Sequence, residues 1–531
     1  MKRLLAVCAM AAFASDAILG QAPSRPAFDV ASIQVSPLRP QSGIRGGLLR
    51  GNRYELRNAT MVDLIRAAYN AQPERITGGP SWLEWNRFDI AALTAENTPP
   101  ERIREMLKTL LAERFKLAVR EDLATTTVMA LRVKGPHKLR EVSAEGGCQG
   151  QQMPESNGAV SMNVTCTGTT MARLAEQLRT ANNPYLAPGQ QVVDETGLSG
   201  FFEFTYKYTP RPMLAQAGSD GITLQQAFDK LGLVLEPKDI QIPAIVVESA
   251  VADFTPNVPD IAKRLPPAPD PQFEVAVLKP TAPDFQGARA QLLPSGQVNI
   301  AGPPLMRIMA LAWGLPDAQY TQFIVGPKWI ETARFDVTAR AFATPNPANQ
   351  AQLDEDRIRL MLRALVIDRF QIKWHMEDRP VPAFEIVAEG PKMAKADPAT
   401  RTRCYEGSPA NSPAGAKPPP FPVLITCQNI SMEQFGQTLP RIAGRYTFVP
   451  AVDKTGLQGG YDFTLNFSPF EQVQGARPEL GAANAGVALD PTGALSLMDA
   501  VRRQLGIRLQ ETKRPVPVLV IDAISEVPLD N

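Results

Sequence analysis

Apolar side chains recur at helical spacing in pairs of segments that lie far apart in the chain. Ile103, Met106, Leu107, Leu110 and Leu111 fall at i, i+3, i+4, i+7 and i+8, and Ile358, Met361, Leu362, Leu365 and Val366 repeat that face. Met61, Leu64, Ile65 and Ala68 mark another helix after Thr60, a candidate N-cap, and Leu305, Ile308, Met309 and Ala312 match it. Met171, Leu174 and Leu178 predict a third helix, and Leu224, Ala227, Phe228 and Leu231 a fourth. Short β-rich runs separate them: RFDIAAL, FKLAVRE, TVMALRV, FFEFTYKY, LVLE and AIVVES. About two strands follow each helix. The expected class is α+β, with amphipathic helices on mostly antiparallel sheets.

The pattern is written twice. FDVASI at Phe28 answers FEVAVL at Phe273, and GPSWLEWNRFDIAA at Gly79 answers GPKWIETARFDVTA at Gly326. VVDETGLSGFFEFTYKY, from Val192, answers AVDKTGLQGGYDFTLNF, from Ala451. The copies are placed at 21–254 and 273–531, with the proline-rich stretch 255–272 as a semi-extended linker. Within each copy, ITGGPSWLEWNRFDIAAL and VVDETGLSGFFEFTYKY both read as strand, Gly turn, and a strand opening on an aromatic–acidic pair. Each copy therefore divides into two α-β-β-α-β-β halves.

The start MKRLLAVCAMAAFASDAILG has two cations, a short apolar run and small residues, the form of an export signal over residues 1–20. The run is too short to span a bilayer, and no later stretch approaches that length, so no transmembrane segment is expected after its removal. Losing Lys2, Arg3 and Asp16 takes the formal charge from +1 to 0. Neutrality disfavours nucleic acid as a partner, because phosphate binding needs a basic face. Four cysteines then remain, Cys148, Cys166, Cys404 and Cys427, and four allow three pairings. Symmetry of the copies selects Cys148–Cys166 and Cys404–Cys427, chemically reasonable in an exported protein.

Asp194-Glu-Thr196-Gly197 and Asp453-Lys-Thr455-Gly456 invite comparison with catalytic Asp-Thr-Gly loops. The residue inserted between Asp and Thr spoils that geometry, whereas an Asx-type turn explains both copies. Gly197 and Gly456 would supply positive φ, with Leu198 and Leu457 turned to the core. Arg87 with Asp89, and Arg334 with Asp336, read as a salt-bridged rim. Trp82 and Trp329, after Gly-Pro, are turn anchors or a candidate binding surface. His137 and His375, the only histidines, occupy non-equivalent positions and are expected at the surface. No Ser-His-Asp set, phosphate loop or metal-ligand cluster stands out, so no catalytic residue, cofactor or metal is assigned.

The string GPSWL…RFDI, ML..LL..RF.L, VDETGL.G.FEFT, LGL.LE and VLVIDAISEVP resembles the soil-associated protein family, secreted proteins of soil bacteria classed as a domain of unknown function. The resemblance spans both copies and departs in carrying the module twice and in FFEF where the family prefers Tyr-Asp-Phe. It implies export and no established active site. More distantly, the L..AF..LGL helix followed by two strands is similar to the short N-terminal domains of secretins and TonB-dependent receptors, which implies an interaction module. The expected function is a periplasmic or extracellular, non-catalytic module binding a protein or small molecule. The catalytic alternative is an extracytoplasmic hydrolase, which requires Asp89, Glu203, Asp336 and Asp462 to converge in one cleft.

Overall fold

The computed structural model describes residues 25–37, 43–156, 158–180, 185–186, 190–268, 271–293, 296–341, 355–407, 409, 420–473 and 494–529. The candidate leader, residues 1–20, lies outside them. Among the described residues, six four-stranded sheets are arranged three to a copy. In the first copy, Val30–Val35, Arg87–Leu93, Arg53–Thr60 and Arg45–Arg50 lie side by side and antiparallel. This sheet shares a core with helices Met61–Tyr69 and Pro100–Phe115, through Leu64, Ile65, Leu107, Leu111 and Phe88. A second sheet of Arg140–Val142, Phe201–Tyr208, Val160–Thr169 and Gly147–Pro154 packs with helices Met171–Thr180 and Leu224–Leu231.

Between these halves runs a two-stranded ribbon, Ala118–Val133 antiparallel to Leu233–Ser249. Its ends belong to different cores: Ile245 and Val247 to the first, Met129, Leu131, Leu233 and Leu235 to the second. Short parallel strands widen it at opposite ends, Ile76–Gly78 beside the second ribbon strand and Val192–Asp194 beside the first. The second copy repeats the plan with ribbon Lys373–Ala388 and Ile507–Ala523, flanked by Ile324–Val325 and Val452–Asp453. The α+β class and the two copies are as the sequence implies; each copy does hold two similar halves, but their order is β-β-β-α-β-β-α-β, short helices aside, rather than α-β-β-α-β-β.

The strands after the helices also differ from expectation. Of FKLAVRE, Phe115 ends the helix and only AVRE is strand; it continues into TVMALRV as a single strand, just as LVLE continues into AIVVES. None of Asp122–Thr127 is buried, whereas Ile242 and Ala244 on the opposite strand are, and the second ribbon carries a core of its own through Val381, Ala383 and Val518. Alternation therefore persists on one strand of the ribbon, from Lys238 to Ala244, and fades on the other, while the hydrogen-bonded ladder continues through both.

Capping explains where several helices begin. Thr60, Thr223 and Ser431 each accept the N3 amide and receive a side chain back, the reciprocal box that satisfies two otherwise orphaned N–H groups. Residues of the proline-rich stretch lie against the first copy. Asn257 accepts from the Ile33 amide at 3.0 Å and donates to the Ile33 carbonyl at 2.8 Å, while the Arg53 guanidinium donates to the Pro266 carbonyl.

The copies also touch each other. Arg401 donates to Glu84 and to the Gly78 carbonyl, each at 2.9 Å, and the Thr402 amide donates to the Ser81 carbonyl. Trp85 packs on the Ile386, Phe435 and Leu439 core, and Arg45 pairs with the buried Asp356. In the first copy the residues matching Arg401-Thr402-Arg403 are Glu145-Gly146-Gly147, and in the second Thr332 matches Trp85. The sequence therefore specifies this contact in one direction only.

Candidate functional site

The four carboxylates required by a hydrolase sit in four different sheets, one in each half-repeat. Asp89 accepts from the Asn58 amide at 2.7 Å and the Ser36 hydroxyl at 2.5 Å. Asp336 accepts from the Gly302 amide at 2.9 Å and the Thr281 hydroxyl at 2.8 Å, and Asp462 from the Asn429 amide at 2.8 Å. Glu203 pairs with Arg140. Asn58, Gly302 and Asn429 share a positive φ, at 54°, 79° and 45°, at a bend just before a helix. A bent strand leaves an amide without its ladder partner, and the acidic residue of the aromatic–acidic pair supplies one.

The arginines complete the arrangement and correct the salt-bridged rim. Arg87 donates to the Asn58 carbonyl at 2.8 Å, while Arg334 donates to the carbonyls of Gly302 at 2.5 Å and Phe285 at 3.1 Å. The Arg-x-Asp motif thus grips one bent residue from both sides, carboxylate on N–H and guanidinium on C=O. Sequence reasoning placed Arg and Asp on one strand face correctly but had no means of locating the strand bend that competes for both.

The two Asp-x-Thr-Gly turns are superimposable in chemistry. Asp194 Oδ1 accepts from the Thr196 amide at 2.9 Å and hydroxyl at 2.7 Å, and the Thr196 hydroxyl accepts from the Leu198 amide at 3.2 Å. Asp453, Thr455 and Leu457 repeat these bonds at 2.8, 2.7 and 3.1 Å. Gly197 and Gly456 have φ of 69° and 70°, with open space where a Cβ would stand, so the backbone angle alone demands glycine. Glu195 is held by Lys238 and Arg132, whose hydrogen bonds keep its carboxyl below the usual carboxylate range.

Cys148 is bonded to Cys166 and Cys404 to Cys427, each pair joining directly opposed residues of neighbouring strands. Trp82 and Trp329 are half-buried; Trp82 meets the edge of Phe88 at 6.2 Å, and Trp329 lies 6.4 Å from Phe370. His137 is exposed beside Phe202, and His375 pairs with Asp522. Among the described residues, no group of three or more His, Cys, Asp or Glu could hold a metal ion.

A cavity of 410 Å³ opens where the two halves of the second copy meet, and sequence reasoning missed it. Helix Leu305–Trp313 provides Arg307, Ile308 and Leu311; the following turn provides Leu315; Pro440 and Phe448 close the far side. The walls are mostly apolar. Arg307 holds Asp317 through two 2.8 Å bonds, which keep the Asp317 carboxyl below its usual range. Arg359 also lines the space, 3.5 Å from Asp356, the residue that Arg45 of the first copy reaches. A signal was present: in the first copy the matching positions are Asp63, Ala67 and Ala71, where the second has Arg307, Leu311 and Leu315. The turns and strand bends recur in both copies because packing requires them, whereas these positions diverge.

A duplicated α+β module with cross-strand disulfides and a cavity in its second copy describes the molecule physically. Comparison with known families then places it: the family described as a protein of unknown function, DUF3738, matches residues 62–250 and 306–524, and the chain belongs to that family. No curated protein and no solved structure matches the chain.

Proposed function

We propose that this is an exported, non-catalytic binding module in which the first copy is scaffold and the second takes a small molecule. The cavity carries the reading. Its 410 Å³ falls within the roughly 300–1,000 Å³ typical of small-molecule sites, which are concave, mainly apolar and bear a few placed polar groups. Export is supported by the leader-like start, by the two disulfides, and by the finding that no described helix is long and apolar enough to cross a membrane. Against the hydrolase stand the separate sheets of Asp89, Glu203, Asp336 and Asp462 and the engagement of three of them with backbone amides.

The test is fluorescence titration of the full chain with N-phenyl-1-naphthylamine, a neutral apolar probe. Saturable binding at one site per chain is expected, abolished by Leu311→Trp, which fills the cavity from a position already 40% exposed. Two equivalent sites per chain, or binding indifferent to Leu311→Trp, would refute the assignment.

A further inference from the structure

The charges around the cavity are not balanced. Three guanidinium groups line it, those of Arg289, Arg307 and Arg359, against a single lining carboxylate, Asp317. Arg307 and Asp317 neutralise each other through their paired bonds. Arg359 stands beside Asp356, outside the lining, and its Nη1 lies 3.8 Å from where a Gly314 Cβ would be. Arg289 is exposed and has a different kind of neighbour: its guanidinium carbon stands 6.0 Å from the centre of the Phe285 ring, a contact that does not cancel its charge. Arg445 stands nearby but is paired with Glu471 at 2.9 Å, which leaves Arg289 as the lining cation without a carboxylate partner among the described residues.

We infer that the cavity takes an amphiphilic anion: an apolar body against Ile308, Leu311, Leu315 and Phe448, with one carboxylate or sulfonate directed to Arg289 and Arg359. An arginine fork matches such a group with two parallel N–H donors, and the apolar walls lower the local dielectric and strengthen the attraction. The same walls disfavour a highly hydrated ion such as free phosphate, which would lose its water with no apolar portion to bury. The first copy contributes indirectly, since Arg45 shares Asp356 with Arg359 and so fixes the carboxylate against which Arg359 is set. In the first copy Asp63, at the position of Arg307, caps its own helix instead.

This inference rests on the cavity being a binding site, and a matched pair of probes separates the two claims. 1-Anilinonaphthalene-8-sulfonate is N-phenyl-1-naphthylamine with one sulfonate added. On the full chain, the sulfonate probe is expected to bind at least about tenfold more tightly than the neutral one, with an affinity that falls as salt is raised. Arg289→Ser should remove most of that advantage, weakening the sulfonate probe far more than the neutral one, while Leu311→Trp should abolish both. Equal affinity for the two probes, or an advantage that survives Arg289→Ser, overturns the anionic class and leaves the cavity standing. Failure of both probes to bind, or insensitivity of both to Leu311→Trp, overturns the cavity and this inference with it.

Discussion

Replacing Asp336 by alanine removes the group that satisfies the bent backbone at Gly302. Two hydrogen bonds disappear, from the Gly302 amide at 2.9 Å and the Thr281 hydroxyl at 2.8 Å. Hydrogen bonds to charged groups contribute about 1.5–3 kcal/mol each, and the half-buried position admits some water, so the combined loss is about 2–4 kcal/mol. For a unit of this size each kcal/mol lowers Tm by roughly 2–4 °C, giving a fall of roughly 4–16 °C. Asp336→Asn keeps an oxygen for the Gly302 amide and should cost about 1 kcal/mol. Gly302→Ala should be at least as harmful as Asp336→Ala: φ is 79°, and the new Cβ would stand 2.5 Å from the Phe285 ring and 2.7 Å from the Gly287 carbonyl. Thermal melts by circular dichroism on the full chain, with the three variants side by side, provide the measurement. An Asp336→Ala protein melting within about 2 °C of the parent would refute the clamp.

The Asp453 turn behaves similarly on a smaller scale: Asp453→Asn should be nearly neutral, Asp453→Ala should cost about 1 kcal/mol, and Gly456→Val should cost more, all read from Tm. Arg401→Glu reverses a charge that is 15% exposed and set against Glu84, so calorimetry should show the two copies melting further apart than in the parent; an unchanged profile would show that the contact carries no coupling. Burial raises the ionisation of Tyr54, Tyr185, Tyr206 and Tyr446 above that of free tyrosine. A raised folded-state value means that the unfolded chain releases its protons first, so stability is fully present below about pH 10 and falls as pH rises beyond it. Denaturant midpoints measured between pH 9 and 11.5 should decline, and phenolate absorbance should show that these side chains ionise together with unfolding.

Much of the architecture was legible in the chain because duplication printed the same packing demands twice. The helical faces around Leu107 and Leu362, the disulfide pairing and the Asp-x-Thr-Gly turn all depend on residues within about 25 positions of each other, where periodicity and turn chemistry act directly. The ribbon was seen only as fragments, because Asp122–Thr127 has no buried residue to carry an apolar pattern through its middle. The Arg-x-Asp motif was visible as a pattern and misread in its partners, since Asn58 and Gly302 reach it only through strand pairing across some thirty residues. The cavity belongs wholly to tertiary structure. Leu311 and Phe448 come from different halves of the second copy, and nothing in local propensity states that their surfaces meet with space between them. Local sequence determined the repeating unit, because each turn and cap is satisfied by near neighbours; the docking of halves and copies decided where a space remained and which charges face it.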